Sequence, residues 1–137
     1  MKRLSCLLMA IVALAVLRAQ TVYNVLDFGA VGDGVADDAA ALQETIDKCT
    51  REGGGRVLIP RNHTFLCGPV ELKSNVELHL EPTAMLLCNP DESIYRLSAF
   101  GENRGEGMLW IWANHAENIS ICGKGTIHGN GIAFMGA

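Results

Sequence analysis

DFGAVGDGVADDAAALQETIDKCTREGGGR, from Asp27 to Arg56, decides how the rest of the chain is read. It divides into a tight glycine loop, one amphipathic helix and a glycine run that releases the chain into strands. Gly29, Gly32 and Gly34 supply residues that tolerate positive φ. Asp37 or Asp38 offers a carboxylate to the free N–H groups at the head of a helix, where negative charge suits the dipole. Leu42, Ile46 and Cys49 recur at offsets of four and three, one apolar stripe, with Gln43, Glu44, Asp47, Lys48 and Arg51 mostly off it. Gly53, Gly54 and Gly55 end the helix. The spacing predicts a helix near residues 38–51, and no other convincing helix follows it.

A glycine loop between a strand-like run (Val22 to Phe28) and a helix raises a dinucleotide reading. The order here is G-x-x-G-x-G, however, and the fingerprint is G-x-G-x-x-G. Asp37 and Asp38 also sit where a pyrophosphate would bind, so anion would repel anion. A calcium site at Asp33, Asp37 and Asp38 lacks the EF-hand spacing. Helix capping accounts for those carboxylates better.

Beyond the helix the chain breaks into short runs separated by Gly, Asn or Pro: Arg56–Pro60, Thr64–Cys67, Val70–Leu72, Val76–Leu80, Met85–Cys88, Leu109–Ala113, Ile119–Cys122 and Thr126–His128. That is an all-β pattern. Val76, Leu78 and Leu80 alternate with Glu77, His79 and Glu81, so this strand has one buried and one wet face. Asn75-Val-Glu-Leu and Asn118-Ile-Ser-Ile match at an offset of 43, read here as two coils of a solenoid, and Cys67 and Cys88 stand one coil apart at 21. Asn75 and Asn118 each precede a strand, where asparagine can take the left-handed corner conformation. The helix stripe would then cover the open first coil.

At this point the residues carry a resemblance. D-F-G-A-x-G-D-G-x-x-D-D, a helix and then G-G-G-x-V resemble the opening segment of the pectin-lyase-like right-handed β-helix superfamily. GPVELKSNVELHLEP (Gly68 to Pro82) and ENISICGKGTIHGNG (Glu117 to Gly131) resemble the first coils of polygalacturonase-type glycoside hydrolases (family 28). The resemblance covers roughly Val22 to Ala137. It implies an all-β fold, a right-handed parallel β-helix of which these are the first coils, with one N-terminal capping helix. It also implies inverting hydrolysis of α-linked galacturonic acid polymers, one carboxyl protonating the leaving oxygen and another activating water.

In that family the reacting groups come from Asn-Thr-Asp, Asp-Asp, Gly-His-Gly and Arg-Ile-Lys motifs on later coils, and none stands here at a corresponding position. Asp37-Asp38 lies in the opening segment. His128-Gly129 lacks the preceding glycine, and the family usually has aspartate at the position of His128. No catalytic residue is therefore assigned in this chain. It reads as the N-terminal part of a longer enzyme, itself inactive and prone to self-association through its bare last coil. The competing reading is a non-catalytic β-helix: a carbohydrate-binding module, adhesin or tailspike.

Residues 1–20 read as a signal segment: Lys2 and Arg3, then an uncharged apolar run from Leu4 to Leu17, too short to span a bilayer. This makes the protein secreted or periplasmic, with no membrane attachment after cleavage, and leaves residues 21–137 as one β-helix portion. Beyond Gln20 stand fifteen acidic residues against eight basic ones, a balance of −7. Without a basic run, nucleic acid is excluded as a partner, and a pectic polysaccharide would need a local basic cleft. Cys49, Cys67, Cys88 and Cys122 are an even set in an exported protein. Cys67 and Cys88 are nevertheless expected as stacked free thiols, because side chains on adjacent coils run parallel instead of facing one another.

The remaining candidates are few. His63, His79, His115 and His128 show no metal spacing, so no metal or other cofactor is predicted. No serine has a nucleophile setting. Trp110 and Trp112 share a strand face, with Leu109 and Ile111 on the other. They are candidates for sugar stacking, although packing beneath the long loop Asn89–Gly107 is the favoured role. Arg104 in that loop could meet a uronate carboxylate.

Overall fold

The computed structural model describes residues 19–98 and 108–136. The expected signal segment lies outside them but for its last two residues, and so does Arg104. No helix among the described residues is long and apolar enough to cross a membrane.

The strands stack instead of folding back on themselves. β1 (Val22–Asn24), β3 (Gly55–Ile59), β6 (Val76–Leu80) and β9 (Ser120–Gly123) lie side by side in one sheet. β2 (Asp33–Asp37), β4 (Thr64–Cys67), β7 (Met85–Cys88) and β10 (Thr126–His128) form a second, and β5 (Val70–Leu72) pairs with β8 (Ile111–Ala113) in a third. Every ladder among the described residues is parallel. An isolated antiparallel bridge, Ser98 to Met108, closes the base of the long loop. Successive strands thus belong to different sheets, and each sheet gains one strand per turn of the chain. The fold is a right-handed parallel β-helix, as the sequence implied.

Alternation decides which side chains go in. Val57, Ile59, Phe65, Cys67, Val70, Val76, Leu78 and Leu86 are all buried in one column of core. Their strand neighbours Arg56, Glu77 and His79 face out and are only partly covered. Cys67 and Cys88 are register partners, and the four cysteines among the described residues are free thiols. Three of them are buried and behave as small apolar residues, while Cys122 is exposed.

The 21 residues between Cys67 and Cys88 are one turn as expected, but the 43-residue offset is not two. Arg56 pairs with Glu77, and Glu77 pairs with Ser120, so the 43-residue offset is one turn and not two. One turn takes 21 residues, and this particular turn also carries the insertion that leaves the solenoid at Asn89. The asparagine corners hold: Asn75 and Asn118 have φ of 64° and 56°, and the amide of Asn118 donates to Asn75 Oδ1 (3.1 Å).

α1 (Ala39–Arg51) lies over the first turn. Leu42, Thr45, Ile46 and Cys49 are its buried face, packed with Val25 and the inward side chains of the next strands. Thr45 belongs to this face because its hydroxyl donates to Ala41 O (2.7 Å) and so enters the core satisfied. Gln43 has a role that the apolar stripe does not reveal. Its amide donates to Glu71 O (3.0 Å) and accepts from Glu71 N (2.8 Å), closing the free edge of β5.

The expected helix cap is divided differently between the two aspartates. Asp38 occupies the N-cap position, but its carboxylate makes no cap; it accepts from Val31 N (2.7 Å) and Gly32 N (3.0 Å) instead. Asp37 accepts from Ala39 N (2.8 Å), from Gly68 N (3.3 Å) and from the Asn89 amide (2.6 Å). One carboxylate pins the glycine loop and the other ties helix, second turn and long loop together. The stretch after Gly32 also pairs as β2, extending the second sheet to its edge. A four-residue helix, α2 (Gly131–Phe134), follows the last strand.

Candidate functional site

The insertion that begins at Asn89 borders two clefts. Asp91 accepts from the backbone N–H and the hydroxyl of Ser93 (3.0 and 2.6 Å), starting a short 3₁₀ turn over Glu92–Ile94. Those bonds hold the Asp91 carboxyl below its ordinary range, the Ser93 hydroxyl contributing most. Tyr95 then turns inward. Its hydroxyl donates to Asn89 O (2.6 Å) and lies 3.0 Å from Cys88 Sγ, while its ring meets Phe134 at 6.1 Å between centroids. Burial, with the neighbouring thiol second, raises the Tyr95 phenol. The first half of the insertion is therefore fastened to the solenoid wall, with a cleft on either side.

One cleft, of about 290 Å³, is lined by Cys88, Glu92, Tyr95, Met108, Trp110 and Phe134. The other, of about 410 Å³, has Trp112 with Gln43, Asp47, Pro69, Glu71, Lys73, Ile94, Arg96 and Leu97. The two tryptophans, read from the sequence as sharing one face, line separate clefts beside residues 92–97. Trp110 donates its indole N–H to Cys67 O (2.9 Å) and packs against the core, so much of it is structural. Trp112 is the register partner of Glu71 on the outer face of the third sheet. Beside it the Glu71 carboxylate pairs with Lys73 (2.8 Å), and Arg96 adds a second cation to the wall. An indole face with donors, acceptors and two cations around it can stack a sugar ring and meet its carboxylate. The two carboxylates that line this cleft are engaged, Asp47 accepting from the Gln43 amide (3.0 Å) and Glu71 paired with Lys73, while Asp33, Asp37 and Asp38 all hold backbone N–H groups.

A second polar cluster lies on the outer face of the first sheet, and sequence reasoning missed it. Glu77 and His79 project from β6, and Cys122 projects from β9 directly across from His79. Cys122 Sγ is 2.9 Å from Glu77 Oε1 and 3.3 Å from His79 Nδ1, which is itself 3.4 Å from Glu77 Oε1. Arg56 supports the same carboxylate at 2.8 Å, and Gln20 donates to its other oxygen (2.7 Å). The bond from Cys122, then those from Gln20 and Arg56, hold the Glu77 carboxyl at about 2. In return the carboxylate raises the Cys122 thiol. The signal was present in the sequence: the offset of 43 that relates Asn75 to Asn118 also takes His79 to Cys122.

Residues 22–104 match the model of the family described as rhamnogalacturonase A/epimerase, pectate lyase-like. The chain belongs to that family. It is similar to the mannuronan C5-epimerase AlgE2 of Azotobacter vinelandii, 46% identical over 63 residues, 41% of this chain and 6% of that protein. It is also similar to plasmin and fibronectin-binding protein A of Streptococcus pneumoniae, 35% identical over 116 residues, 81% of this chain and 16% of that one. Among solved structures, the hyperthermoactive exopolygalacturonase of Thermotoga maritima superposes with a TM-score of 0.67 at 34% identity, covering 82% of this chain and 27% of that one. The chain thus spans a small part of each of these proteins.

Proposed function

We propose that residues 21–137 are the N-terminal coils of an exported glycoside hydrolase of the polygalacturonase type, acting on α-linked galacturonic acid in pectic polysaccharides. The observation that carries this reading is the match to the exopolygalacturonase, which extends along 82% of this chain while spanning 27% of that enzyme. The family's catalytic motifs fall on later coils, so the 137 residues alone supply scaffold and a binding wall. Hydrolysis itself would follow the inverting two-carboxylate scheme. Export follows from the basic n-region and the apolar run of residues 1–20.

A second reading rests on the pneumococcal relative, whose name describes binding and no catalysis. In that case the β-helix would present a docking surface and later coils would carry no clustered aspartates. Extending the reading frame beyond Ala137 and assaying its product separates the two. Reducing ends released from polygalacturonate support the hydrolase. Altered uronate stereochemistry without chain cleavage would point to an epimerase. Retention of plasmin or fibronectin without either activity would establish the binder. The 137-residue chain alone is expected to release no reducing ends, and to self-associate in light scattering through its exposed last rung.

A further inference from the structure

The Glu77, His79 and Cys122 cluster takes no part in the proposed carbohydrate chemistry. It lies on a different sheet from the tryptophan clefts, and its geometry has its own meaning. Three side chains of different type present one ligand atom each, all within 4.8 Å of one another. A carboxylate, an imidazole and a thiol together form a donor set for a borderline-soft divalent ion. Calcium and magnesium call for oxygen ligands and would leave the sulfur and the ring nitrogen unused.

We propose that Glu77, His79 and Cys122 form a binding site for Zn²⁺ or a similar divalent transition ion, spanning two adjacent turns of the β-helix. The separations support it. Around a tetrahedral zinc, bonds of about 2.0–2.3 Å leave ligand atoms about 3.3–3.8 Å apart. The three separations here are 2.9, 3.3 and 3.4 Å. Admitting the ion opens the shortest by less than about 1 Å, within reach of side-chain torsions. On binding, the Cys122 S–H bond breaks, its proton passes to solvent and a sulfur–metal bond forms. A water takes the fourth position.

The backbone beneath is rigid where it matters. Glu77 and His79 are two apart on one strand and so share a face, and the parallel ladder sets Cys122 opposite His79. Arg56 would be the supporting group. Its guanidinium holds the Glu77 carboxylate in place, as ligating carboxylates are commonly held, and balances part of the added negative charge when the thiol ionises. Because the ligands come from consecutive turns, a bound ion would clip two rungs together on the outside, as core packing does on the inside.

The test uses the full chain with Zn²⁺ alone, titrated against a chromophoric chelator, and with Co²⁺ as a spectroscopic substitute. One equivalent is expected to bind, and Co²⁺ should show thiolate-to-metal charge-transfer absorption. Cys122→Ser should remove that absorption and weaken affinity by about 100-fold or more, and Arg56→Gln by about tenfold, the range for loss of a supporting partner. In unmutated protein, saturating Zn²⁺ should slow maleimide capture of Cys122, read by peptide mass, by about tenfold or more while leaving the buried thiols unchanged. This arm decides the matter even if a variant misfolds. Binding that survives Cys122→Ser and His79→Gln together, or an unchanged capture rate, overturns the proposal.

Discussion

Leu78 and Ile121 are register partners on neighbouring rungs, both turned to the inside, yet Leu78 is 0% exposed and Ile121 is 48% exposed. The same holds one sheet over, where Leu86 is 0% exposed and its partner Ile127 is 40% exposed. Strand pattern and apolar character match within each pair. What differs is the layer beyond: another rung and finally α1 on one side and, among the described residues, little on the other. Turning inward is dictated by alternation, whereas burial in a solenoid is conferred by the neighbour. Stability should therefore be graded along the axis, greatest where α1, β3 and β6 meet.

The largest expected effect tests that gradient directly. Leu78→Ala should cost about 2–5 kcal/mol, as loss of a fully packed leucine does, and Ile121→Ala less than about 1 kcal/mol, since solvent already reaches it. Urea denaturation of the two variants reads the contrast. Equal costs would show that the last rung is covered in solution, by a second copy or by further chain.

A sharper version concerns two adjacent glycines after α1. Gly53 has φ of +102° and open space where a Cβ would go; Gly54 has φ of +96°, and a Cβ there would fall 2.5 Å from Asn75 Cβ and from its carbonyl oxygen. Gly53→Ala should cost about 1–2 kcal/mol, the left-handed strain alone. Gly54→Ala adds an overpacking cost of about 1–3 kcal/mol on top, because the corner above it is backbone and cannot swing aside. If the two variants melt together, the corner column is looser than its register implies.

Third comes the pair of loop carboxylates. Asp38 is 4% exposed and is the acceptor for two N–H groups of the glycine loop, so Asp38→Ala should cost about 1–3 kcal/mol. Asp33 makes similar bonds to Val35 and Ala36 in full solvent, where water replaces them, and Asp33→Ala should lie well below that. Thermal melts of both variants check the order, and limited proteolysis should cut residues 29–34 first in Asp38→Ala.

These contrasts also mark what could be read before the structure. Alternation in Val76–Glu81, the α1 stripe and the asparagine corners are local, so the β-helix and its cap were legible from short windows. The 21-residue rung was legible too, from Cys67 and Cys88, but the 43-residue offset was not, because the insertion at Asn89 makes one turn look like two. The work of Asp38 was hidden for a related reason: its partners, Val31 and Gly32, become neighbours only once the loop has closed. The two clefts depend on how Tyr95 anchors the insertion, and the Glu77–His79–Cys122 cluster on a register across the turn that carries that insertion. What was missed depends on contacts that form only once the chain has folded, from six residues apart at Asp38 to 45 at Cys122.

The smallest effect asks what holds a corner: backbone conformation or side-chain ladder. Asn118 sits at φ of 56° and donates to Asn75 Oδ1 across an exposed 3.1 Å bond. Replacing it by glycine or by alanine removes that bond equally, at about 0.5 kcal/mol for a solvent-facing pair. Glycine accepts the left-handed conformation but adds freedom to the unfolded chain, about 0.5–1 kcal/mol. Alanine adds no such freedom but carries about 1–2 kcal/mol of left-handed strain. The strain outweighs the added freedom, so alanine should fall below glycine by roughly 0.5–1 kcal/mol in denaturant midpoints of equal slope. Should the two variants be equally stable, or alanine the better, the corner at Asn118 is not held left-handed in solution and the ladder to Asn75 is what places it.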